Sequence, residues 1–206
     1  VDETVGKTDR LIWVDNVREA LQDCARAYRR HLGIPIIGLT GSNGKTTNKE
    51  LFHAVLNTTF KTYATAGNFN NHIGVPLSLL RIPRDSELAV IEMGANHQKE
   101  IAQLAAICEP TIGYITNYGK AHLEGFGGVE GIIKGKSELY DYLRSTDGLA
   151  MVNLNDPIQI EKSTGIHQFG YGKGEGLIQW SPSSTSEFAG VEIVHGKTSY
   201  SDRKST

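Results

Sequence analysis

The sequence predicts an α/β fold: a mostly parallel sheet with helices on both faces, a phosphate-binding loop, and a small antiparallel extension at the C-terminal end. Three observations predict it. Short apolar runs alternate with segments of helical periodicity, as in chains where each strand is followed by a helix. A glycine-punctuated turn at residues 41–46 stands between an apolar run and a helical pattern. After residue 165 the pattern changes to short strands with polar turns, including a predicted hairpin turn at His195-Gly196.

Length and charge exclude several classes of protein. The 206 residues are most simply one domain plus small additions, and we expect residues 1–15 to be a linker or the tail of a preceding domain. A net charge of −2 argues against a nucleic-acid binder that works through a broad basic surface. No apolar run approaches membrane-spanning length, so we expect no membrane insertion. The chain begins at Val1 without an initiator Met and looks excised from a longer protein, so its missing signal peptide says little about localisation.

The first predicted helix begins at Asn16 and ends near Gly33. Asn16 is followed three residues later by Glu19, which is the spacing of a capping box. The helix carries one apolar stripe, formed by Val17, Leu21, Cys24 and Tyr28. Cys24 and Cys108 both occupy apolar positions of helical patterns, so we expect two buried free thiols rather than a disulfide.

Residues 34–47 are typical of a strand, a phosphate-binding loop and the start of a helix. Gly41 and Gly44 let backbone N–H groups turn inward toward an anion, and the N-terminal end of the helix also favours negative charge. Lys45 can reach the β- and γ-phosphates of a nucleotide, and the Thr46 hydroxyl can ligate Mg²⁺. The alternative is a plain strand-to-helix turn. The residues assigned to nucleotide binding here are Thr40, Gly41, Ser42, Asn43, Gly44, Lys45, Thr46 and Thr47.

The rest of the chain continues the alternation of strands and helices. Further strands are predicted at 60–64, 88–91, 111–116 and 148–153. Helices are predicted to begin near Pro76 and to cover 98–107 and 129–143. In a parallel sheet, ligands bind at the carboxyl ends of the strands. The loop at 40–46, Glu92 and the loop that holds His122 all follow strands, so we expect them to meet at that edge.

Two residues after strands are candidate metal ligands. Glu92 ends an apolar strand run, which is the placement of an acidic metal ligand opposite a phosphate loop; the alternative is a solvated carboxylate at a strand end. His122 lies in a glycine-rich loop, where it is either a surface residue or a functional histidine. Spacing alone does not decide between these roles.

Lys136 lies on the apolar face of a predicted helix. It shares a stripe with Ile132 and Tyr140, whereas Lys134 points away and can pair with Glu138 on the solvent side. One alternative is a lysine whose stem is packed and whose ammonium reaches water. The other is a buried amine, with a pKa lowered by up to about 3–5 units, that can take up CO₂ as a carbamate and become an anionic oxygen ligand. Periodicity leaves both open.

Four blocks of the sequence together resemble the central ATPase domain of the Mur ligases. They lie at residues 40–47, 67–76, 91–97 and 121–127 and occur in the family's order. Within the family they are most similar to ligases that add D-Ala-D-Ala to UDP-N-acetylmuramoyl-tripeptide in peptidoglycan precursor synthesis. The resemblance implies that residues 16–206 are the central ATP-binding domain, without the family's N-terminal UDP-binding domain and its C-terminal domain.

The resemblance also implies roles for individual residues. Lys45 would bind the phosphates, Thr46 and Glu92 would hold one Mg²⁺, and His122 would hold a second, supported by Lys136 as a carbamate. Lys45, His122 and Lys136 are therefore the catalytic candidates, and the expected cofactors are ATP and two Mg²⁺ ions. The stretch that lines the phosphate and substrate side of the family's cleft is matched by Asn68, Asn70 and Asn71, of which Asn68 and Asn71 are assigned to nucleotide binding.

The implied function is an ATP-dependent amide ligase that works through an acyl phosphate, in a cytoplasmic, monomeric protein. One alternative is a sister ligase that adds a single amino acid, against which the blocks at 67–76 and 94–97 argue. The other is a P-loop phosphotransferase or a nucleotide switch. We expect this chain by itself to bind MgATP weakly and not to ligate.

Overall fold

The computed structural model describes residues 12–173, 176–182 and 188–205, and within these ranges the chain forms nine strands and seven helices. The strands are β1 Ile36–Thr40, β2 Thr62–Ala64, β3 Leu88–Glu92, β4 Ile112–Ile115, β5 Leu149–Asn153, β6 His167–Lys173, β7 Ile178–Pro182, β8 Phe188–His195 and β9 Thr198–Ser205. The helices are α1 Val17–Leu32, α2 Lys45–Leu56, α3 Gly74–Leu80, α4 Glu100–Cys108, α5 Leu123–Phe126, α6 Val129–Ser145 and α7 Pro157–Lys162.

All the described strands belong to one sheet, in the spatial order β2-β3-β1-β4-β5-β6-β7-β8-β9. The pairings from β2 through β7 are parallel, whereas β8 pairs antiparallel with both β7 and β9. This confirms the predicted mostly parallel sheet with an antiparallel extension. The predicted boundary at residue 165 was too early, because β6 and β7 still pair in parallel. The β8–β9 hairpin turns at Gly196, whose φ of 60° suits glycine.

Helices cover both faces of the sheet, as predicted. A Cβ on Gly113 of β4 would meet the Leu139 and Leu143 side chains of α6, so this face of the strand lies against α6. The next residue, Tyr114, has its ring 5.3 Å from the ring of Phe52 on α2. Because successive strand residues point to opposite faces, α2 and α6 lie on opposite sides of the sheet.

Helix α1 begins and ends where the sequence predicts. The Asn16 side chain accepts hydrogen bonds from the N–H groups of Arg18 and Glu19, and Gly33 ends the helix in the left-handed conformation. The expected burial of both thiols was wrong for Cys24, which is exposed. The buried positions of α1 are Ala25 and Arg29, one residue around the helix from the predicted stripe. Helical periodicity specifies the buried face of a helix only coarsely, and the packing of α1 against the rest of the protein determines which face it is.

The second free cysteine, Cys108, is fully buried, and burial raises the pKa of its thiol to about 12.

Of the tail predicted at residues 1–15, residues 1–11 lie outside the described ranges and residues 12–15 are neither helix nor strand. The proposed division at residue 16 stays a prediction. Within the described ranges, no helix is both long and apolar enough to span a bilayer.

Candidate functional site

The turn between β1 and α2 has the backbone of a phosphate-binding loop. Gly41 and Gly44 have φ values of 141° and 76°, a region that favours glycine. At Gly41 a Cβ would overlap the Thr116 hydroxyl, so a side chain does not fit. Helix α2 starts at Lys45 without a side-chain cap from Gly44, which leaves its first N–H groups for an anion.

Lys45 folds back over this loop. Its ammonium donates hydrogen bonds to the carbonyl oxygens of Gly41, at 2.9 Å, and Ser42, at 3.3 Å. Burial lowers the pKa of Lys45, and the negative charge of Glu92 opposes part of that shift. The positive charge therefore lies inside the loop, beside the uncapped end of α2.

Residues after β4 hold the loop in this shape. The Asn117 amide donates to the Asn43 carbonyl oxygen at 3.1 Å and accepts from the Asn43 N–H at 3.3 Å. The Thr116 hydroxyl donates to the same Asn43 oxygen at 2.7 Å, and the Ser42 hydroxyl donates to the Gly119 carbonyl oxygen at 2.5 Å. Asn117 was not assigned from the sequence, although it directly follows the strand predicted at 111–116, and Glu92 was chosen for a similar place at the end of a strand run.

Glu92 is buried, with 1% of its surface exposed, so the alternative of a solvated strand-end carboxylate is wrong. Its two carboxylate oxygens accept hydrogen bonds from the Thr46 hydroxyl at 3.1 Å and from the Asn70 amide at 2.8 Å. In the part of the chain that the structure describes, no Lys, Arg or His forms an ion pair with this carboxylate. A buried carboxylate without an ion pair, beside a hydroxyl oxygen, is a donor set that suits Mg²⁺.

The asparagine-rich segment before α3 forms the next part of the site. Besides its side-chain hydrogen bond to Glu92, Asn70 accepts a hydrogen bond from the Gly94 N–H through its backbone carbonyl oxygen at 2.7 Å. The Asn71 side-chain oxygen accepts from the N–H groups of Ile73 and Gly74, so Asn71 stabilises the start of α3. Asn68 is exposed and does not line the cavity described next. Among the three asparagines, Asn70 makes the contact with Glu92.

A cavity of 330 Å³ opens beside the phosphate loop. It brings together Lys45, Asn71 and His122 of the residues assigned from the sequence, together with unassigned polar residues. Those lining residues include Asn70, His72, Asn96, Glu100 and Gln103. The expectation that the strand-end loops meet at one edge is therefore confirmed for the loops after β1, β3 and β4.

His122 lines this cavity and directly precedes α5. It is exposed and has a left-handed backbone, with φ 58°. Across the described ranges, no group of three or more His, Cys, Asp or Glu side chains is arranged to hold a metal ion. A second metal site around His122 would therefore need oxygen ligands from elsewhere.

Lys136 is also buried, with 1% of its surface exposed, so the alternative of a snorkelling lysine is wrong. Its amine donates to the Ala95 carbonyl oxygen at 3.4 Å and lies 4.9 Å from the centre of the Phe126 ring. Burial, and to a smaller extent the positive charge of Lys45, lower the pKa of Lys136 to about 8.

The expected ion pair between Lys134 and Glu138 does not form. The Glu138 carboxylate instead accepts hydrogen bonds from the N–H groups at the start of α4.

Comparison with known proteins identifies relatives. Residues 39–202 match the family described as the Mur ligase middle domain. The UDP-N-acetylmuramoyl-tripeptide–D-alanyl-D-alanine ligase of Bacillus subtilis is 42% identical over 164 residues, which cover 80% of this chain and 35% of that protein. The enzyme of the same name from Escherichia coli is 41% identical over 143 residues, covering 69% of this chain and 31% of that protein. The chain thus spans about a third of the length of these relatives.

Solved structures have the same fold. MurF from Acinetobacter baumannii aligns with a TM-score of 0.84 at 32% identity, over 93% of this chain and 43% of that chain. MurF ligase from Thermotoga maritima in complex with ADP aligns with a TM-score of 0.85 at 27% identity, over 97% of this chain and 47% of that chain.

Proposed function

Because this chain belongs to the Mur ligase middle-domain family, we propose that it is the ATP-binding domain of a ligase joining D-Ala-D-Ala to UDP-N-acetylmuramoyl-tripeptide. The observation that carries the proposal is the contact of buried Glu92 with Thr46, one residue beyond the phosphate-loop lysine. This contact places a loop that suits phosphate next to a carboxylate that suits Mg²⁺. A protein that uses a magnesium nucleotide needs both groups in one site.

In this proposal the phosphates of ATP lie on the loop formed by residues 40–47. The N–H groups at the start of α2 and the Lys45 ammonium bind the phosphate oxygens. The hydrogen bonds from Thr116 and Asn117 to the Asn43 carbonyl oxygen would hold the loop backbone in place around the phosphates.

Thr46 and Glu92 would hold one Mg²⁺, and His122 a second, completed by a carbamate on Lys136. The buried Lys136 amine, with the Ala95 oxygen as its hydrogen-bond acceptor, supports the carbamate proposal. A carbamate would add the oxygen ligands that the described His, Cys, Asp and Glu side chains around His122 do not supply. Bound Mg²⁺ would neutralise negative charge on the phosphates.

The proposed reaction has two steps. The carboxylate of the tripeptide attacks the γ-phosphorus of ATP, the bond to the β-phosphate oxygen breaks, and an acyl phosphate and ADP form. The amine of D-Ala-D-Ala then attacks the acyl carbon, phosphate leaves, and the nitrogen loses a proton to form the amide.

The attacking carboxylate and the γ-phosphate are both negatively charged and repel each other. Two unit charges 4 Å apart repel by roughly 4 kcal/mol at an effective dielectric of about 20, and the positive charge of Lys45 helps to offset this repulsion. The domain positions groups and stabilises charge, and no protein nucleophile is needed.

Phosphate release from ATP by the full-length protein that carries this chain tests the function. The assay supplies UDP-N-acetylmuramoyl-tripeptide with D-Ala-D-Ala in one tube and with single amino acids in others. Release only with the dipeptide supports the proposal. Release with a single amino acid indicates a sister ligase, whereas nucleotide binding without release under any condition indicates a switch or a phosphotransferase and contradicts the ligase.

The remaining parts of the proposal concern the chain's setting. We expect a cytoplasmic enzyme, because both ATP and the UDP-linked precursor are cytoplasmic substrates, and we expect a monomer. By itself, this chain is expected to bind MgATP weakly and to form no amide, because it spans only a third of the relatives' length. Calorimetry with MgATP and an amide-formation assay on the 206-residue chain check both expectations.

A further inference from the structure

Lys49, one turn beyond Lys45 on α2, is buried in an unusual way. Lysines usually pack their stems and keep the ammonium in water, but the Lys49 side chain is 0% exposed. Its ammonium donates to the Gly67 carbonyl oxygen at 3.3 Å and pairs with the Glu50 carboxylate at 2.9 Å. By contrast, the Lys61 side chain, which pairs with Asp85, is 68% exposed. A buried ammonium persists only where its partners compensate the lost hydration, and here those partners are the Glu50 carboxylate and the Gly67 carbonyl oxygen.

Gly67 belongs to the segment that supplies one side of the cavity. In this segment, residues 65–74, the Thr65 hydroxyl oxygen accepts from the Glu92 N–H at 3.0 Å. Asn70 contacts both Glu92 and Gly94, as described above. The same segment presents Asn70, Asn71 and His72 to the cavity.

Helix α2 therefore contacts the 65–74 segment by two routes. One runs from Thr46 through the Glu92 carboxylate to Asn70. The other runs directly from Lys49 to Gly67. Thr46 and Lys49 are three residues apart, so they lie on the same side of the helix. In the proposed function the Thr46 and Glu92 oxygens become metal ligands, so the first route changes when nucleotide binds. The second route uses no ligand-binding atom.

We infer that Lys49 is a positioning residue: it ties the phosphate-loop helix to residues 65–74, so that the cavity side formed by Asn70, Asn71 and His72 follows the position of α2. Nucleotide bound at one end of α2 would thereby order residues 65–74. The nucleotide part of this inference rests on the proposed function. The tie itself rests only on the Lys49 contacts.

Hydrogen exchange measured by mass spectrometry on the full-length protein tests the tie without nucleotide. Lys49→Met keeps an unbranched apolar stem that reaches to Cε and removes the ammonium, and it is expected to speed exchange of the amides in residues 66–74 while leaving the 112–115 strand unchanged. Lys61→Met is the matched control and is expected to exchange like the wild type. Wild-type exchange at 66–74 in Lys49→Met would overturn the inference, whatever the protein catalyses.

The same measurement with MgADP tests the coupling. In the wild type, MgADP is expected to protect both residues 41–48 and residues 66–74; in Lys49→Met, protection at 41–48 remains and protection at 66–74 is lost. Retained protection at 66–74 in the variant would overturn the coupling. Absence of protection at 41–48 in the wild type would contradict the proposed nucleotide site, while the nucleotide-free comparison still decides the role of Lys49.

Kinetics separate positioning from general loss of structure. If the full-length enzyme ligates, Lys49→Met is expected to raise the KM for the UDP-linked substrate about tenfold, the order expected for losing one charge-assisted hydrogen bond, with the KM for ATP little changed. A fall in kcat alone, with both KM values unchanged, would mark a structural role and overturn the inference. If Lys49→Met does not fold, Lys49→Gln, which is neutral and shorter, replaces it in every arm.

Discussion

The two proposed metal positions differ in how many contacts their residues already make with one another. At the first position, the Glu92 carboxylate already accepts hydrogen bonds from Thr46 at 3.1 Å and from Asn70 at 2.8 Å. At the second position, His122 is exposed, and the buried Lys136 amine donates to a backbone oxygen at 3.4 Å. Folding therefore already brings together the oxygen atoms proposed to hold the first Mg²⁺, whereas the proposed second position would still need the carbamate oxygens on Lys136.

The largest effect is expected from Glu92→Gln in the full-length enzyme. The amide keeps the shape of the side chain but removes the charge, so kcat for phosphate release should fall by about 10²–10³-fold. Because the buried carboxylate has no ion pair among the described residues, Tm in the absence of Mg²⁺ should not fall and is expected to rise. Steady-state kinetics and thermal melts check both parts.

The matched control is Asp85→Asn, since the Asp85 carboxylate is 71% exposed and lies outside the cavity. This variant should leave kcat unchanged. A large loss of Tm without Mg²⁺ in Glu92→Gln would show that the charge is needed for folding and would contradict the cation-site interpretation.

The second prediction concerns Lys136 on α6. Lys136→Ala in the full-length enzyme should lower kcat by about 10²-fold or more, because a group that stabilises developing charge is lost. Adding a short-chain carboxylic acid should restore part of the activity, since its carboxylate can replace the carbamate oxygens. Lys134→Ala, on the exposed side of the same helix, should behave like the wild type. Unchanged activity in Lys136→Ala, or a loss that no acid rescues, would argue against the carbamate.

The third prediction uses the Lys136 pKa of about 8, which lies below the unfolded value of 10.5. The folded state then binds fewer protons than the unfolded state between pH 8 and 10.5, so stability rises with pH in this window. In CO₂-free buffer, Lys136→Met should stabilise this chain at pH 7 by roughly 1–3 kcal/mol, and the gain should shrink as pH rises toward 10. Urea unfolding of both proteins at several pH values measures it. A gain independent of pH would show that the amine is not the cause.

The smallest effect is expected from Glu138→Ala, one turn along α6 from Lys134. It removes the acceptor for the Lys99 and Ala102 N–H groups, which lie 2.5 and 2.9 Å from the Glu138 carboxylate oxygens. Loss of such a cap should reduce the free energy of unfolding by about 0.5–2 kcal/mol. Chemical denaturation of this chain checks it, and Glu130→Ala, a first-turn residue of α6, is the comparison. An effect no larger than that of Glu130→Ala would show that the cap contributes little.

The sequence by itself determined the features that depend on a residue and its near neighbours. The phosphate loop is one, because Gly41 and Gly44 supply backbone angles that other residues adopt rarely. The ends of α1 are another, because Asn16 and Gly33 act within one turn of themselves. The apolar stripe that contains Lys136 follows from helical spacing alone, and the predicted face is the buried one.

Only the tertiary structure decided which groups meet across distant parts of the chain. In the folded chain Cys24 is exposed, and the Glu138 carboxylate contacts the N-terminus of α4 instead of Lys134. Of the three asparagines, Asn70 is the one that contacts Glu92. The fold also buries Lys49 against Gly67, 18 residues away. The physical reason is the same in each case: periodicity specifies the face on which a side chain lies, but the hydrogen-bond partner that a buried polar group requires comes from an element that local sequence does not specify.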